Sequence, residues 1–178
     1  MSRFFAVLLT TLFALPLAGC FVSSEPLITP QTADYPLGNA RAQHFDWVRG
    51  AWKAAGRVTV TREGAYYLLR DEETRDVTRF LLHAIGDNRF VAQAEDLSGT
   101  GNAAFTYSLV AISGEHVYHF AFEKASRSCR VPDADAAALK LRPYESGCGV
   151  TSIEALATAF RMLEHSEEQP ETMYVMEP

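Results

Sequence analysis

Between Arg57 and Glu123 the chain is a succession of short runs of β-branched and aromatic residues separated by Gly, Asn and Asp. Arg57 to Glu63 alternates, with Val58 and Val60 on one side and Thr59 and Thr61 on the other. Gly64-Ala65 breaks the run, and Ala65 to Arg70 resumes it with Tyr66, Tyr67, Leu68 and Leu69. Val77 to Ala84 and Phe90 to Glu95 flank Gly86-Asp87-Asn88, and Ala104 to Ile112 and His116 to Glu123 flank Ser113-Gly114-Glu115. In the last run Tyr118, Phe120 and Phe122 alternate with His119, Ala121 and Glu123. Successive strand side chains point to opposite faces. The runs therefore predict strands, and turn residues roughly every 12 positions predict an antiparallel meander. Val77–Ala84 and Ala104–Ile112 are the most continuously apolar and are the expected central strands.

The pattern changes after Ser128. Asp133 to Leu139 suggests a short helix. Thr151-Ser152-Ile153-Glu154 reads as a capping box, in which the Thr151 and Glu154 side chains satisfy each other's orphan backbone N–H groups. It opens an amphipathic helix with Ile153, Leu156, Ala157, Phe160 and Leu163 on one stripe, which must cover a sheet face or close a barrel end. Met173 to Met176 reads as a final edge strand. The expected fold is α+β and mainly β: an antiparallel meander, as a sandwich or partly open barrel, with one C-terminal helix packed on it. Residues 41–178 form one domain in this reading. Residues 20–40 carry three prolines and no periodicity, which marks a tether. If flexible, it spans on the order of 25 Å. Leu27, Ile28, Tyr35 and Leu37 are apolar enough for part of it to lie on the domain instead.

The first nineteen residues have their own logic. Met1-Ser2-Arg3 is a short positive start, and an apolar run from Phe4 to Leu17 comes next, broken by Thr10, Thr11 and Pro16. It is shorter than the roughly 20 residues of a membrane span and fits a secretory signal. It ends Leu17-Ala18-Gly19-Cys20, which resembles the lipobox of bacterial prolipoproteins: an aliphatic residue, two small residues, then the cysteine that receives diacylglycerol. The resemblance covers residues 1–20. It implies cleavage before Cys20 and acylation at Cys20, with the mature chain held on the periplasmic side of the membrane. Phe21 stands after the cysteine where inner-membrane lipoproteins usually carry aspartate, which implies the outer membrane. Lipidation also leaves Cys129 and Cys148 as an even pair in an oxidising compartment, and a Cys129–Cys148 disulfide is expected. The alternative is two separate reduced thiols.

Composition narrows the partners. Lys and Arg number 16 against 22 Asp and Glu, a net charge of −6, with no basic patch, so nucleic acid is not an expected partner. No lysine-rich stretch adjoins Cys20 to reinforce the anchor electrostatically.

Residue patterns for catalysis are sparse. His116 and His119 form His-x-x-His, but on a strand they point to opposite faces, so ordinary histidines are expected rather than a metal pair. Gly99-Thr100-Gly101 matches no phosphate-loop pattern. Serines occur without Gly-x-Ser-x-Gly. Asp71, Glu72, Glu73 and Asp76 lack the order of a calcium loop and read as a solvated turn. Trp47 and Trp52, with Phe45 and Asp46, are read as core packing, with a ligand site or membrane belt as the alternative. No cofactor is implied, and no catalytic or metal-binding residue is assigned. The expected role is a non-catalytic, membrane-tethered binding or structural module for an envelope protein or glycan. The alternative is a small hydrolase, or an inhibitor of an envelope-attacking enzyme. It would need a protruding loop or a cleft with paired ionisable groups, sought around loop 97–103 with His83 or Glu95 nearby.

Overall fold

The computed structural model describes residues 21–95, 105–122, 129, 131, 137–144, 147–166 and 169–177. Its strands are β1 (Phe21–Ser23), β2 (Ala40–Val48), β3 (Ala51–Glu63), β4 (Tyr66–Asp71), β5 (Val77–Gly86), β6 (Arg89–Glu95), β7 (Phe105–Ser113), β8 (His116–Phe120), β9 (Arg142–Tyr144), β10 (Gly147–Gly149) and β11 (Thr172–Met176). One helix, α1, spans Ile153–His165. The suggested helix at 133–139 lies largely outside the described residues, and its last part, from Ala137, is a turn.

Tight turns dictate the hairpins. Arg49-Gly50 joins β2 to β3, and Asp87-Asn88 joins β5 to β6. Both central residues of each turn have positive φ, the two-residue geometry whose twist matches the flanking strands. Gly64-Ala65 and Gly114-Glu115 join β3 to β4 and β7 to β8 with positive φ only at the glycine. The meander then closes on itself. β2 to β8 pair antiparallel in succession, and β11 inserts between β8 and β2. The result is an eight-stranded antiparallel barrel. Met173–Met176 is therefore no edge strand: β11 is paired on both sides and completes the ring.

Alternation along the strands divides the apolar residues between two cores. Val60, Tyr67, Leu82, Phe90, Val110 and Val117 point into the barrel. Their neighbours Leu81, Val91, Leu109 and Phe120 point outward, under Leu156, Ala159, Phe160 and Leu163 of α1 and under Phe21. β5 and β7 read as continuously apolar because both of their faces are covered. Each fully buried Leu or Phe contributes about 1.5–3 kcal/mol of transfer free energy. The helix starts one residue later than the capping box predicts. Ser152 is the N-cap, and its hydroxyl accepts from the Ala155 N–H at 3.2 Å. Glu154 stands exposed in the first turn, where a carboxylate favours the helix dipole.

Residues 21–39 form a strap over this barrel. β1 takes the edge of β7 that β8 leaves after Phe120: Phe21 pairs with Tyr107, and Phe120 with Leu109. Further on, Asp34 bridges to Leu82, and the Tyr67 hydroxyl donates to Leu37 O at 2.9 Å, so the strap crosses one end of the barrel before entering β2. The segment after position 20 is thus packed on the barrel rather than extended as a free spacer. Phe21, Val22 and Ile28 are at most 1 % exposed.

Candidate functional site

Three features stand out from the packed body: the fastening of the strap, a polar cluster inside the barrel, and a hairpin that projects beyond it.

The strap is held by side chains that imitate a strand. Gln93 is only 4 % exposed. Its Oε1 accepts from Ile28 N–H at 2.7 Å, and its Nε2 donates to Ile28 O at 2.9 Å. The Tyr107 hydroxyl, paired with Ser23 Oγ at 2.8 Å, accepts from Leu27 N–H at 3.1 Å. Burial raises the Tyr107 phenol above its ordinary value, so it stays protonated. β1 also pairs in parallel with β10, placing Phe21 opposite Cys148. Cys148 is bonded to Cys129 in a disulfide with Cα atoms 4.9 Å apart. The disulfide thus braces the strand that receives β1.

Beside the strap lies a cleft of about 130 Å³ bordered by Pro26, Ile28, Pro30, Tyr66, Arg79 and Glu95. Its two charges serve each other. Arg79 Nε donates to Glu95 Oε2 at 2.7 Å, and the guanidinium lies 4.6 Å from the Tyr66 ring centre. A volume this far below the few hundred Å³ of ordinary ligand pockets suits packing more than a substrate. His83 is not brought to Glu95. It sits farther along β5, with Nδ1 2.8 Å from Thr32 O and 3.8 Å from Asp34 Oδ2. Loop 97–103 lies outside the described residues.

Inside the barrel, the alternating register carries polar residues into the ring near the β2–β3 turn. His44 Nε2 is 3.1 Å from Asp46 Oδ1, and the His44 ring stacks on Tyr174 at 5.1 Å. His119 and Tyr174 join them on adjacent strands. Burial, with a smaller push from His44, lowers the His119 imidazole to about 4, so it is neutral near pH 7. Burial together with Asp46 and Asp71 raises the Tyr174 phenol to about 12. Asp71 is held below the ordinary carboxyl value, chiefly by the Thr74 N–H, which donates to Oδ1 at 2.8 Å. This group can donate and accept hydrogen bonds. Among the described residues, no three His, Cys, Asp or Glu side chains are grouped to hold a metal ion. His116 faces the other way from His119 and stacks on Tyr118 at 6.1 Å.

Trp47 and Trp52 are not core. They face each other across the β2–β3 hairpin with ring centres 5.1 Å apart, half-buried on the outer surface and absent from both apolar clusters. Residues 41–56 carry no ordinary strand signature, because Ala51-Trp52-Lys53-Ala54-Ala55-Gly56 has no apolar–polar alternation. The signal present in β2 is inverted. Ala42, His44 and Asp46 share one face, and Phe45 and Trp47 the other, so polar groups point in and aromatic groups out.

Of the expected site residues, Cys129 and Cys148 are joined, and Cys20 lies outside the described residues. Fold and site define a small closed antiparallel barrel with a strapped N-terminal segment and an outer helix. Compared with known protein families, curated proteins and solved structures, the chain matches none.

Proposed function

We propose that this chain is a lipid-anchored lipoprotein of the bacterial cell envelope, acylated at Cys20 and working as a non-catalytic binding or structural module on the periplasmic side of the outer membrane. One observation carries the reading: Phe21, the residue directly after the lipobox cysteine, is 0 % exposed and already paired in a strand. A residue packed and paired directly beside the lipobox fits a mature protein that starts at Cys20. Both ends of the strap are committed to packing, and the charged groups of the cleft beside it are paired with each other. That arrangement suits a scaffold better than a reaction site. Its partner would be an envelope protein or glycan.

The reading is tested by Cys20→Ser in the full chain. The variant should lose palmitate labelling and leave the membrane fraction. Labelling that persists in the variant would overturn the anchor. Crosslinking in intact envelope, with affinity capture afterwards, should enrich one partner reproducibly, and repeated failure would count against a binding role.

The hydrolase or inhibitor reading keeps two specific observations: the His44–Asp46 pair and the projecting β2–β3 hairpin. A hydrolase would need a nucleophile or activated water beside His44. Loss of a hydrolytic activity in His44→Gln, with folding intact, would favour it.

A further inference from the structure

The β2–β3 hairpin outruns its neighbours. Pairing of β3 with β4 stops at Val58–Asp71, and pairing of β2 with β11 stops at Asp46–Thr172. Beyond those rungs, among the described residues, Trp47, Val48, Ala51 and Trp52 form strand pairs only within the hairpin; the Trp47 N–H donates to Glu171 O at 2.9 Å, and the Trp52 ring reaches back to within 6.4 Å of the Tyr118 ring on β8. Val48 is 37 % exposed, one of two large hydrophobic side chains so placed among the described residues. Arg49 stands at the turn, and Lys53 and Arg57 are exposed along β3, in a chain whose net charge is −6.

The occupant of this apolar and basic tip is set by where the anchor must be. Phe21, the residue to which Cys20 is joined in the sequence, is fully buried. β1 runs towards the same barrel end as the hairpin, since it is antiparallel to β7 near Phe105. Glu171 links the two regions: its N–H donates to His119 O, its carboxylate accepts from Ala121 N–H, and its carbonyl accepts from Trp47. β1 continues the line of β8, two strand positions from β2 through β11, while its own outer edge is taken by β10 and then β9. With strands about 4.8 Å apart, Phe21 and the hairpin are separated by on the order of 15 Å. With no spacer, an acylated Cys20 brings the bilayer surface against this part of the barrel.

We infer that the tip formed by Trp47, Val48, Arg49 and Trp52 inserts into the lipid interface as a second contact, fixing the orientation of the barrel on its membrane. This rests on the acylated Cys20 proposed above. Indole rings favour the boundary between head groups and acyl chains, and a basic side chain beside them meets anionic head groups. Asp46 and Glu73 lie at the hairpin base, where Glu73 Oε1 would stand 3.6 Å from a Cβ at Gly56, so the tip alone is suited to enter.

Trp47 and Trp52 are the two tryptophans of the sequence, so intrinsic fluorescence reports on this tip directly. The full acylated protein is reconstituted in phosphatidylethanolamine–phosphatidylglycerol vesicles, with and without brominated acyl chains, and the mass at Cys20 is measured on the same preparation. Brominated lipid should reduce tryptophan emission about twofold or more, while aqueous acrylamide loses access. Val48→Asp, at an exposed site, should weaken that quenching with the far-ultraviolet circular dichroism unchanged. Acrylamide quenching without bromolipid quenching overturns the inference. Shielding from both quenchers also overturns it, because a protein or second copy then covers the hairpin. With Cys20 acylated, either result leaves the anchor standing; an unmodified Cys20 removes the anchor and the inference together.

Discussion

The placement of His119 on the inner face of the barrel has a measurable consequence. Its folded imidazole titrates near 4 and the unfolded one near 6.5. Between these values the unfolded chain binds a proton that the folded chain does not, so stability falls as pH drops through this window. The loss is up to about 3 kcal/mol and is complete below pH 4. Urea unfolding at pH 7 and pH 4.5 should show it, and His119→Gln should flatten the difference. Equal acid sensitivity in both proteins would show that other groups govern it. Gln93 gives a second prediction. Gln93→Leu keeps bulk but leaves Ile28 N–H and C=O unpaired, costing about 1–3 kcal/mol. Amide exchange at Ile28 should accelerate more than exchange in β7. That His116 and His119 part is legible in the sequence, because parity on a strand decides it. Gln93 is not legible as a fastener, because its partner, Ile28, lies 65 positions away.

At the scale of elements, turns are easier to read than caps. Gly64, Gly114 and Asp87-Asn88 announce their hairpins, since those residues tolerate positive φ. Arg49-Gly50 gives a weaker signal, because arginine has no such preference, and β2 is hidden with it. The helix is legible from its stripe, but two adjacent hydroxyl residues compete for its start. Ser152 wins, with extended φ −150° and ψ 150° and its oxygen on Ala155 N–H. Ser152→Ala should therefore cost about 1 kcal/mol, while Thr151→Ala should change stability by a few tenths. Thermal or urea unfolding of both variants checks this, and a larger effect at Thr151 would restore the capping box. Phe160 meets Phe21 edge-on at 5.4 Å and Phe122 at 5.5 Å. Phe160→Ala should cost about 3–5 kcal/mol.

At the scale of the whole molecule, the mainly β fold with a C-terminal helix is legible in the sequence, and its closure is not. Closure depends on β11, a five-residue strand that finds β2 and β8 across the entire chain. Nothing in Thr172–Met176 alone distinguishes an edge from a closing strand. The strap is half legible: its apolar residues are visible, but their docking depends on Gln93 and Tyr107. The Cys129–Cys148 bond closes a separation of 19 residues and braces β10 against β1. Cys129→Ser with Cys148→Ser should lower stability by about 3 kcal/mol. It should also expose the strap to protease before the barrel opens, whereas simultaneous cleavage throughout would contradict that coupling. The anchor itself turns on Cys20, outside the described residues. Mass spectrometry of the N-terminal peptide from membrane-extracted protein tests it most directly. The expected peptide begins at Cys20, lacks residues 1–19 and carries a thioether-linked diacylglycerol. A peptide that still contains Gly19, or one with an unmodified Cys20, would contradict lipid anchoring at this position.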